Sequence, residues 1–233
     1  MKPRLLLVED DAVSNLFMMT ALEAMPAQVD SADCIASALS LEAGHDLWLL
    51  DANLPDGRGV DLLAQLRSRS PGTPALAHTA DDSPALHAEL QAAGFDEVLV
   101  KPLTMARLLQ AVRSQLDFGP AASLRVAESS EGFGELPLWD DATALAALNG
   151  NREHVVTLRG MFLEELDRQH DDILSMLRTG DHQGAKKILH QLKASSGFVG
   201  ALRLNAAASA LEKSLGDPVA LERFSASVRD TRA

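Results

Sequence analysis

Acidic, hydroxyl and basic side chains follow successive apolar runs in the first half of the chain. Glu9 and Asp10 follow the first run, and Asp51 follows a later one. Thr79 and Lys101 follow two further runs. Three carboxylates placed together repel one another unless a cation lies among them, and oxygen ligands of this kind suit Mg²⁺. Asp51 could then attack a phosphoryl group to give an aspartyl phosphate, whose oxygens Lys101 and Thr79 would stabilise.

Apolar runs that alternate with amphipathic segments predict five strand–helix units over residues 1–117. We expect strands at residues 5–8, 28–30, 47–50, 74–78 and 97–100, and helices at residues 12–24, 35–43, 60–67, 84–93 and 104–116. This alternation predicts an α/β domain with a doubly wound, five-stranded parallel sheet covered by helices on both faces. The carboxyl ends of such strands share one edge, so the side chains that follow them should converge on a single pocket.

Residues 1–117 resemble a response-regulator receiver domain of two-component signalling, which has a flavodoxin-like fold. The resemblance is carried by Val8-Glu9-Asp10-Asp11, Leu49-Leu50-Asp51-Ala52-Asn53-Leu54-Pro55-Asp56-Gly57, Thr79-Ala80 and Lys101-Pro102. It implies that Asp51 is the phosphoacceptor, that Asp10 binds Mg²⁺ directly and that Glu9 binds it through water. It also implies a metal ligand from the Asn53 backbone carbonyl. Thr79 and Lys101 would contact the phosphoryl group, and the Lys101–Pro102 bond would be cis.

Two further residues lie near this predicted pocket. Val98 occupies the position, three residues before Lys101, where receivers usually carry Tyr or Phe. The resemblance therefore does not extend to the aromatic switch of the family or to the surface that it controls. His78 precedes Thr79 and could reach the pocket, but we interpret it as a strand residue packed under the sheet.

A second candidate site surrounds His190. On a helix, His190 lies nearly opposite an apolar stripe that would face a core, so we expect a solvated imidazole. Positive and small side chains are expected on the same outer face: Lys186, Lys187, Lys193, Ala194 and Gly197. This surface suits a histidine that receives an anionic group from a second protein, whose backbone could approach the small residues. The alternative is an ordinary solvated helix face.

The second half of the chain, residues 138–233, predicts an all-α domain. We expect a short helix at residues 142–148 and four main helices, at residues 152–178, 182–200, 201–215 and 219–230. Asn151, Asp181 and Asp217 are the expected caps of three of these helices. Short connections between the main helices predict an antiparallel four-helix bundle.

This half resembles a histidine-containing phosphotransfer (HPt) domain through His190-Gln191-Leu192-Lys193-Ala194-Ser195-Ser196-Gly197 and Val199-Gly200-Ala201. The resemblance implies that a receiver aspartyl phosphate phosphorylates His190 on a ring nitrogen, with Lys193 close to the phosphoryl group. Where the family commonly has Gly after the Lys, this chain has Ala194, which is still small. Glu212 could orient the His190 ring by a hydrogen bond, or it could be an ordinary solvated residue.

Residues 118–137 are rich in Gly, Ser, Pro and Glu and predict a flexible linker. Residues 1–117 contain 8 Lys and Arg against 17 Asp and Glu, a net charge of −9. The remainder has a net charge of −3, with 13 against 16. An acidic receiver is a plausible docking complement for the lysines around His190, and a flexible linker would let His190 meet its own receiver or another.

Composition narrows the function classes. A net charge of −12 argues against nonspecific binding to nucleic acid or to anionic membranes. Cys34 is the single cysteine, so no disulfide framework or thiolate metal cluster is expected. The N-terminal apolar run is too short for a secretory signal, and no apolar run reaches the ~18 residues of a membrane span. We therefore expect a cytoplasmic protein.

The leading hypothesis is a phosphorelay protein that accepts a phosphoryl group on Asp51 and transfers it between aspartate and His190. Its partners would be a sensor histidine kinase, other receiver-domain proteins or both. No segment resembles the ATP-binding domain of a kinase, so we expect a phosphotransfer protein rather than an enzyme. One alternative is a phosphorylation-switched binding module in which His190 is a phosphate sink. An aspartate-based phosphohydrolase is disfavoured because Asn53 stands where a second acid would be needed.

Overall fold

The computed structural model describes residues 2–116, 136–148 and 150–233. The chain divides into two compact units, residues 1–121 and residues 122–233. Apart from residues 136 and 137, the predicted linker lies outside the described residues. None of the helices in the described ranges is long and apolar enough to cross a membrane.

The N-terminal unit is built around a five-stranded parallel sheet. Its strands are β1 (Arg4–Val8), β2 (Gln28–Ala32), β3 (Leu47–Asp51), β6 (Ala75–Thr79) and β7 (Glu97–Val100), and they lie in the order β2-β1-β3-β6-β7. Its helices are α1 (Ala12–Leu22), α2 (Ile35–Ser40), α3 (Gly59–Arg69), α4 (Pro84–Ala93) and α5 (Met105–Gln115). The predicted five-stranded doubly wound sheet is confirmed. The apolar runs of β1, β3 and β6 are buried because helices cover both faces.

One element was not predicted. Asn53–Leu54 (β4) and Gly57–Arg58 (β5) form a small antiparallel hairpin directly after Asp51, where the sequence indicated only a loop. The turn residues Pro55 and Asp56 close it. Both carboxylate oxygens of Asp56 accept backbone N–H groups at the start of α2, at 2.8 and 2.9 Å, and so tie the hairpin to that helix. The hairpin fixes the backbone that follows Asp51.

The C-terminal unit is helical, as predicted. It contains α6 (Asp141–Ala147), α7 (Arg152–Thr179), α8 (His182–Phe198), α9 (Leu202–Lys213) and α10 (Pro218–Arg232). The expected caps are present, since the side chains of Asn151, Asp181 and Asp217 each accept a backbone N–H at the start of α7, α8 and α10. α8 packs against both α7 and α9, and α10 packs against α9 and α7. The helix that carries His190 is therefore packed between α7 and α9.

Candidate functional site

The sheet brings the predicted pocket residues of the N-terminal unit to one edge. Glu9 follows β1, Asp51 and Thr79 are the last residues of β3 and β6, and Lys101 follows β7. Because β1, β3, β6 and β7 are successive neighbours in a parallel sheet, their carboxyl ends lie side by side. Glu9, Asp51, Thr79 and Lys101 are all less than a tenth exposed.

Lys101 joins two of the acids. Its Nζ donates to Asp51 Oδ2 at 2.6 Å and also to Glu9 Oε2. Burial raises the pKa of Asp51, but the charge of Lys101 and hydrogen bonds to the carboxylate outweigh it and hold that pKa well below its usual range. Burial opposes the charge of Lys101, yet the two carboxylates raise the pKa of its ammonium. The pocket therefore holds an ionised aspartate against a charged lysine.

Backbone groups orient the remaining pocket atoms. The N–H of Asn53 donates to Asp51 Oδ1 at 2.8 Å, so both oxygens of Asp51 are engaged. The N–H of Asp81 donates to Thr79 Oγ1 at 3.1 Å, which leaves the Thr79 hydroxyl proton able to donate elsewhere. Asn53, at the start of the β4–β5 hairpin, thus fixes the acid, and Asp81, in the loop after β6, fixes the hydroxyl.

Two of the predicted metal ligands lie together with a histidine. The carboxylates of Glu9 and Asp51, with His78, offer ligand atoms that all lie within 4.8 Å of one another, and Asp10 is not a member of this group. Asp11, which had no predicted role, is buried and caps α1, since its Oδ1 accepts the Ser14 N–H at 2.7 Å. Burial and the charge of Glu9 raise the pKa of Asp11 to about 7.

The interpretation of His78 as a residue packed under the sheet was wrong. His78 Nδ1 lies 3.3 Å from Glu9 Oε2 and 3.5 Å from Asp51 Oδ2, and the side chain is fully buried. β6 pairs with β3 so that His78 is directly opposite Asp51, and residues paired in this way point to the same face of a sheet. The register of β6 on β3 therefore brings His78 into the pocket, and no local pattern in the sequence indicates it.

Two features of the receiver resemblance can also be compared with the structure. The Lys101–Pro102 peptide bond is cis, as the resemblance implies. Val98, which replaces the usual aromatic residue, is partly buried and packs against the hydrophobic core of the sheet.

In the C-terminal unit, Glu212 contacts two of the predicted site residues on α8, His190 and Lys193. Its Oε1 lies 3.2 Å from His190 Nδ1, and its Oε2 accepts from Lys193 Nζ at 2.7 Å. Burial raises the pKa of Glu212, but the contacts with His190 and Lys193 outweigh it and lower that pKa to about 2. The carboxylate is therefore ionised at neutral pH. The Nε2 atom of His190 is itself buried and has no hydrogen-bond partner among the described residues.

The prediction that His190 and its small neighbours lie on an exposed face of α8 was wrong in part. Ala194 and Gly197 are buried, and only a fifth of the His190 side chain is exposed. The reason lies in α9, where Asn205 Nδ2 donates to the backbone oxygen of Lys193 at 2.6 Å and to Ser196 Oγ at 3.0 Å. These contacts draw α9 over that side of α8. Lys186 is exposed and Lys187 is half-buried.

The glycine that follows α8 has a packing role. Gly200 has a φ of +75°, a left-handed conformation that favours glycine. Its backbone oxygen accepts the Asp140 N–H at 2.7 Å, and a Cβ at this position would lie 2.3 Å from the Asp140 oxygen. Gly200 therefore lets the segment before α6 pack against the end of the His190 helix.

Models of two known protein families match the two units of the chain. The response regulator receiver domain model matches residues 5–113, and the Hpt domain model matches residues 157–232. The chain belongs to the response-regulator receiver family and carries an Hpt domain. The two matches, on one chain, make this receiver–Hpt chain a two-component phosphorelay protein.

Curated relatives include both regulators and kinases. The receiver–Hpt chain is 31% identical over 173 residues to "Probable transcriptional regulatory protein SilR" of Salmonella typhimurium, covering 73% of this chain and 74% of that protein. It is 28% identical over 221 residues to the sensor histidine kinase GacS of Pseudomonas protegens, covering 88% of this chain and 23% of GacS. The sensor histidine kinase AruS of Pseudomonas aeruginosa is 31% identical over 214 residues, 89% of this chain and 20% of AruS. The chain thus spans about a quarter or less of these two kinases.

Proposed function

We propose that this phosphorelay protein accepts a phosphoryl group on Asp51 and that phosphoryl groups pass between an aspartate and His190. The observation that carries the proposal is the contact of Lys101 Nζ with Asp51 Oδ2, because it keeps a buried carboxylate ionised and therefore nucleophilic. In the second unit, the contact between Glu212 and His190 Nδ1 supports the proposal that His190 is the nucleophile.

At Asp51, a carboxylate oxygen attacks the phosphorus of the donor. The new P–O bond forms as the bond from phosphorus to the donor's leaving group breaks. Lys101 can stabilise the negative charge of the phosphoryl group, because its ammonium already contacts Asp51 and can move onto a phosphoryl oxygen. The hydroxyl of Thr79, held by the Asp81 N–H, can donate to a second oxygen.

Receiver domains use Mg²⁺, and the donors of this pocket fit it. Glu9 and Asp51 each direct a carboxylate oxygen at one point, which the ammonium of Lys101 occupies in this structure. Asp10 and the Asn53 carbonyl would supply further oxygen ligands of the kind that Mg²⁺ prefers. When bound, Mg²⁺ would offset the negative charge that gathers on the phosphoryl oxygens.

At His190, Nε2 is the nucleophile. Because the ionised carboxylate of Glu212 accepts the Nδ1–H, the lone pair of the neutral ring is on Nε2. Nε2 attacks the phosphorus of an aspartyl phosphate, the P–N bond forms, and the P–O bond to the aspartate breaks. Glu212 stabilises the positive charge that the ring acquires. Lys193 lies one helical turn after His190 and can contact the phosphoryl oxygens. The reverse step regenerates the aspartyl phosphate.

We infer that an acidic receiver docks beside His190 through Lys186, Lys187 and Lys193. Residues 1–117 carry a net charge of −9, which complements these lysines. Ala194 and Gly197 would contribute from within the bundle, by keeping α9 close to α8. The receiver could be that of the same chain, of another copy or of a second protein, and a sensor histidine kinase would supply the phosphoryl group.

The Asp51 half of the proposal is tested by incubating the full chain with a small acyl phosphate and Mg²⁺. We expect base-labile label on the wild type and none on Asp51→Asn, while the control Asp61→Asn, at an exposed acid on α3, is labelled normally. Chelating the Mg²⁺ should prevent the labelling. Equal labelling of Asp51→Asn, or labelling that continues without Mg²⁺, would overturn the assignment.

A further inference from the structure

The imidazole of His78 has no role in the transfer steps above, yet it lies at the bottom of the pocket. The side chain is fully buried, and neither ring nitrogen has a hydrogen-bond partner of acceptable geometry among the described residues. Nδ1 nevertheless faces Glu9 Oε2 at 3.3 Å and Asp51 Oδ2 at 3.5 Å. Buried polar groups without partners are uncommon because each costs free energy, so this nitrogen requires an explanation.

We propose that Glu9, Asp51 and His78 form a binding site for a four-coordinate transition-metal ion such as Zn²⁺. Their ligand atoms lie within 4.8 Å of one another. Zn²⁺ binds oxygen and nitrogen ligands at about 2.0–2.1 Å in tetrahedral geometry. Two ligand atoms bound to one Zn²⁺ are therefore about 3.3–3.4 Å apart. The distances from His78 Nδ1 to the two carboxylate oxygens are close to this value.

This site differs from the magnesium site of the receiver in its chemistry. Imidazole nitrogen suits Zn²⁺, Co²⁺ and similar ions, whereas Mg²⁺ takes oxygen ligands in octahedral geometry and retains several waters. The transition-metal site uses His78 and requires neither Asp10 nor the Asn53 carbonyl. Three protein ligands leave a fourth position for water, as in other zinc sites that exchange ligands.

Occupation of this site would exclude Lys101 from its present position. Lys101 Nζ donates to the same two oxygens, Glu9 Oε2 and Asp51 Oδ2, that the ion would take. A dication placed there replaces the ammonium and covers the oxygen of Asp51 that Lys101 now orients. Because the ion takes carboxylate oxygens of Glu9 and Asp51 that Mg²⁺ would also use, it would compete with Mg²⁺ and so inhibit phosphorylation of Asp51. This consequence rests on the proposed role of Asp51, while the binding of the ion does not.

The test is a titration of the metal-free full chain with Co²⁺, read by visible absorption. We expect one equivalent to bind with the intense band of four-coordinate Co²⁺. His78→Gln should bind at least ~10-fold more weakly, because it removes the nitrogen ligand. The control His182→Gln, at an exposed histidine in the C-terminal unit, should bind as the wild type does. A weak six-coordinate spectrum for the wild type, or equal affinity of wild type and His78→Gln, would overturn the site.

A second arm keeps this inference separate from the proposed function. Asp51→Asn preserves the shape of a ligand and removes its charge, so it should also weaken Co²⁺ binding even if His78→Gln does not fold. Labelling by an acyl phosphate and Mg²⁺ is then measured with and without added Zn²⁺. Labelling that proceeds unchanged in Zn²⁺ contradicts the inference alone. Tight four-coordinate Co²⁺ binding in a chain whose Asp51 is never labelled contradicts the proposed function alone.

Discussion

The Glu212 carboxylate lies 3.2 Å from His190 Nδ1, across the contact between α8 and α9. The same carboxylate accepts from Lys193 at 2.7 Å, so one acid holds both the histidine and the lysine one turn further along the helix. About four fifths of each of these side chains is buried. Glu212 therefore links the orientation of the imidazole to the position of the nearby positive charge.

Replacing Glu212 with Gln should slow phosphoryl transfer to His190. The substitution keeps the shape of the side chain but removes the charge that favours the Nδ1–H form. A hydrogen bond to a charged group contributes about 1.5–3 kcal/mol, so we expect a loss of about 10- to 100-fold in the rate. The measurement is the rate of label transfer from a phosphorylated receiver to the full chain.

The control for Glu212→Gln is Glu222→Gln, at an exposed acid on α10, which should transfer at the wild-type rate. Nitrogen chemical shifts of His190 add a readout that a loss of stability alone would not move. We expect the Nδ1–H form in the wild type and a mixture of the two ring forms in Glu212→Gln. An unchanged mixture in both proteins would contradict the orienting role.

The stability of the C-terminal unit should fall as Glu212 takes up a proton. The pKa of Glu212 is lowered from 4.5 to about 2 in the folded protein. Between these two pH values the unfolded chain binds a proton at this position that the folded chain does not, so the contribution is complete above pH 4.5 and is lost as the pH falls towards 2. Glu212→Gln lacks this contribution, and its difference from the wild type should shrink over the same range.

Measuring this pH dependence requires a fluorescence signal that reports on the unfolding of the helical unit alone. Trp48 lies in the core of the sheet, whereas Trp139 packs edge-on to Phe162 in the helical unit, at 6.3 Å between ring centres. In a Trp48→Phe background, the fluorescence of Trp139 during urea unfolding should report on the helical unit. A difference between wild type and Glu212→Gln that stays constant from pH 5 to pH 2 would contradict the assignment to Glu212.

Removing Lys101 should destabilise the N-terminal unit. Lys101→Met leaves the carboxylates of Glu9 and Asp51 buried without their ammonium, and loss of one partner of a buried ion pair costs about 3–5 kcal/mol. Adding Asp51→Asn should recover part of this loss, because only one buried negative charge remains from the pair. Urea unfolding of the two single variants and the double variant measures the coupling. Strictly additive effects would show that Lys101 does not compensate Asp51.

Two glycines of the helical unit should respond in opposite directions to alanine. Gly200→Ala introduces a Cβ 2.3 Å from a backbone oxygen at a φ of +75°, so we expect a loss of at least about 2 kcal/mol in the free energy of unfolding. Gly160→Ala, on the exposed side of α7 with nothing within 4 Å of the new Cβ, should instead stabilise by about 0.5–1 kcal/mol. Destabilisation of similar size by both would contradict the packing argument.

The sequence predicted the parallel sheet and the helical bundle because each rests on local patterns. Apolar runs marked the buried strands, and Asn151, Asp181 and Asp217 marked the starts of three helices that the structure has at those places. The convergence of Glu9, Asp51 and Lys101 followed from the topology alone, since parallel strands end at one edge. These features need no knowledge of side-chain contacts.

The details that the sequence missed depend on pairing between distant segments. His78 enters the pocket because β6 pairs with β3 in a register that sets it opposite Asp51, and no local pattern fixes that register. Ala194 and Gly197 are buried because α9 folds over them, which the period of α8 cannot reveal. The choice between the two interpretations of Glu212 likewise required the position of α9 beside His190.

The central claim is that phosphoryl groups pass between an aspartyl phosphate and His190, and the most direct measurement follows the chemical stability of the label. The wild type, Asp51→Asn and His190→Gln are each incubated with a phosphorylated receiver, either their own or that of a second protein. We predict base-stable, acid-labile label on the wild type and on Asp51→Asn supplied by a second receiver, and none on His190→Gln. Absence of base-stable label at His190 from every receiver, its own included, would contradict the account.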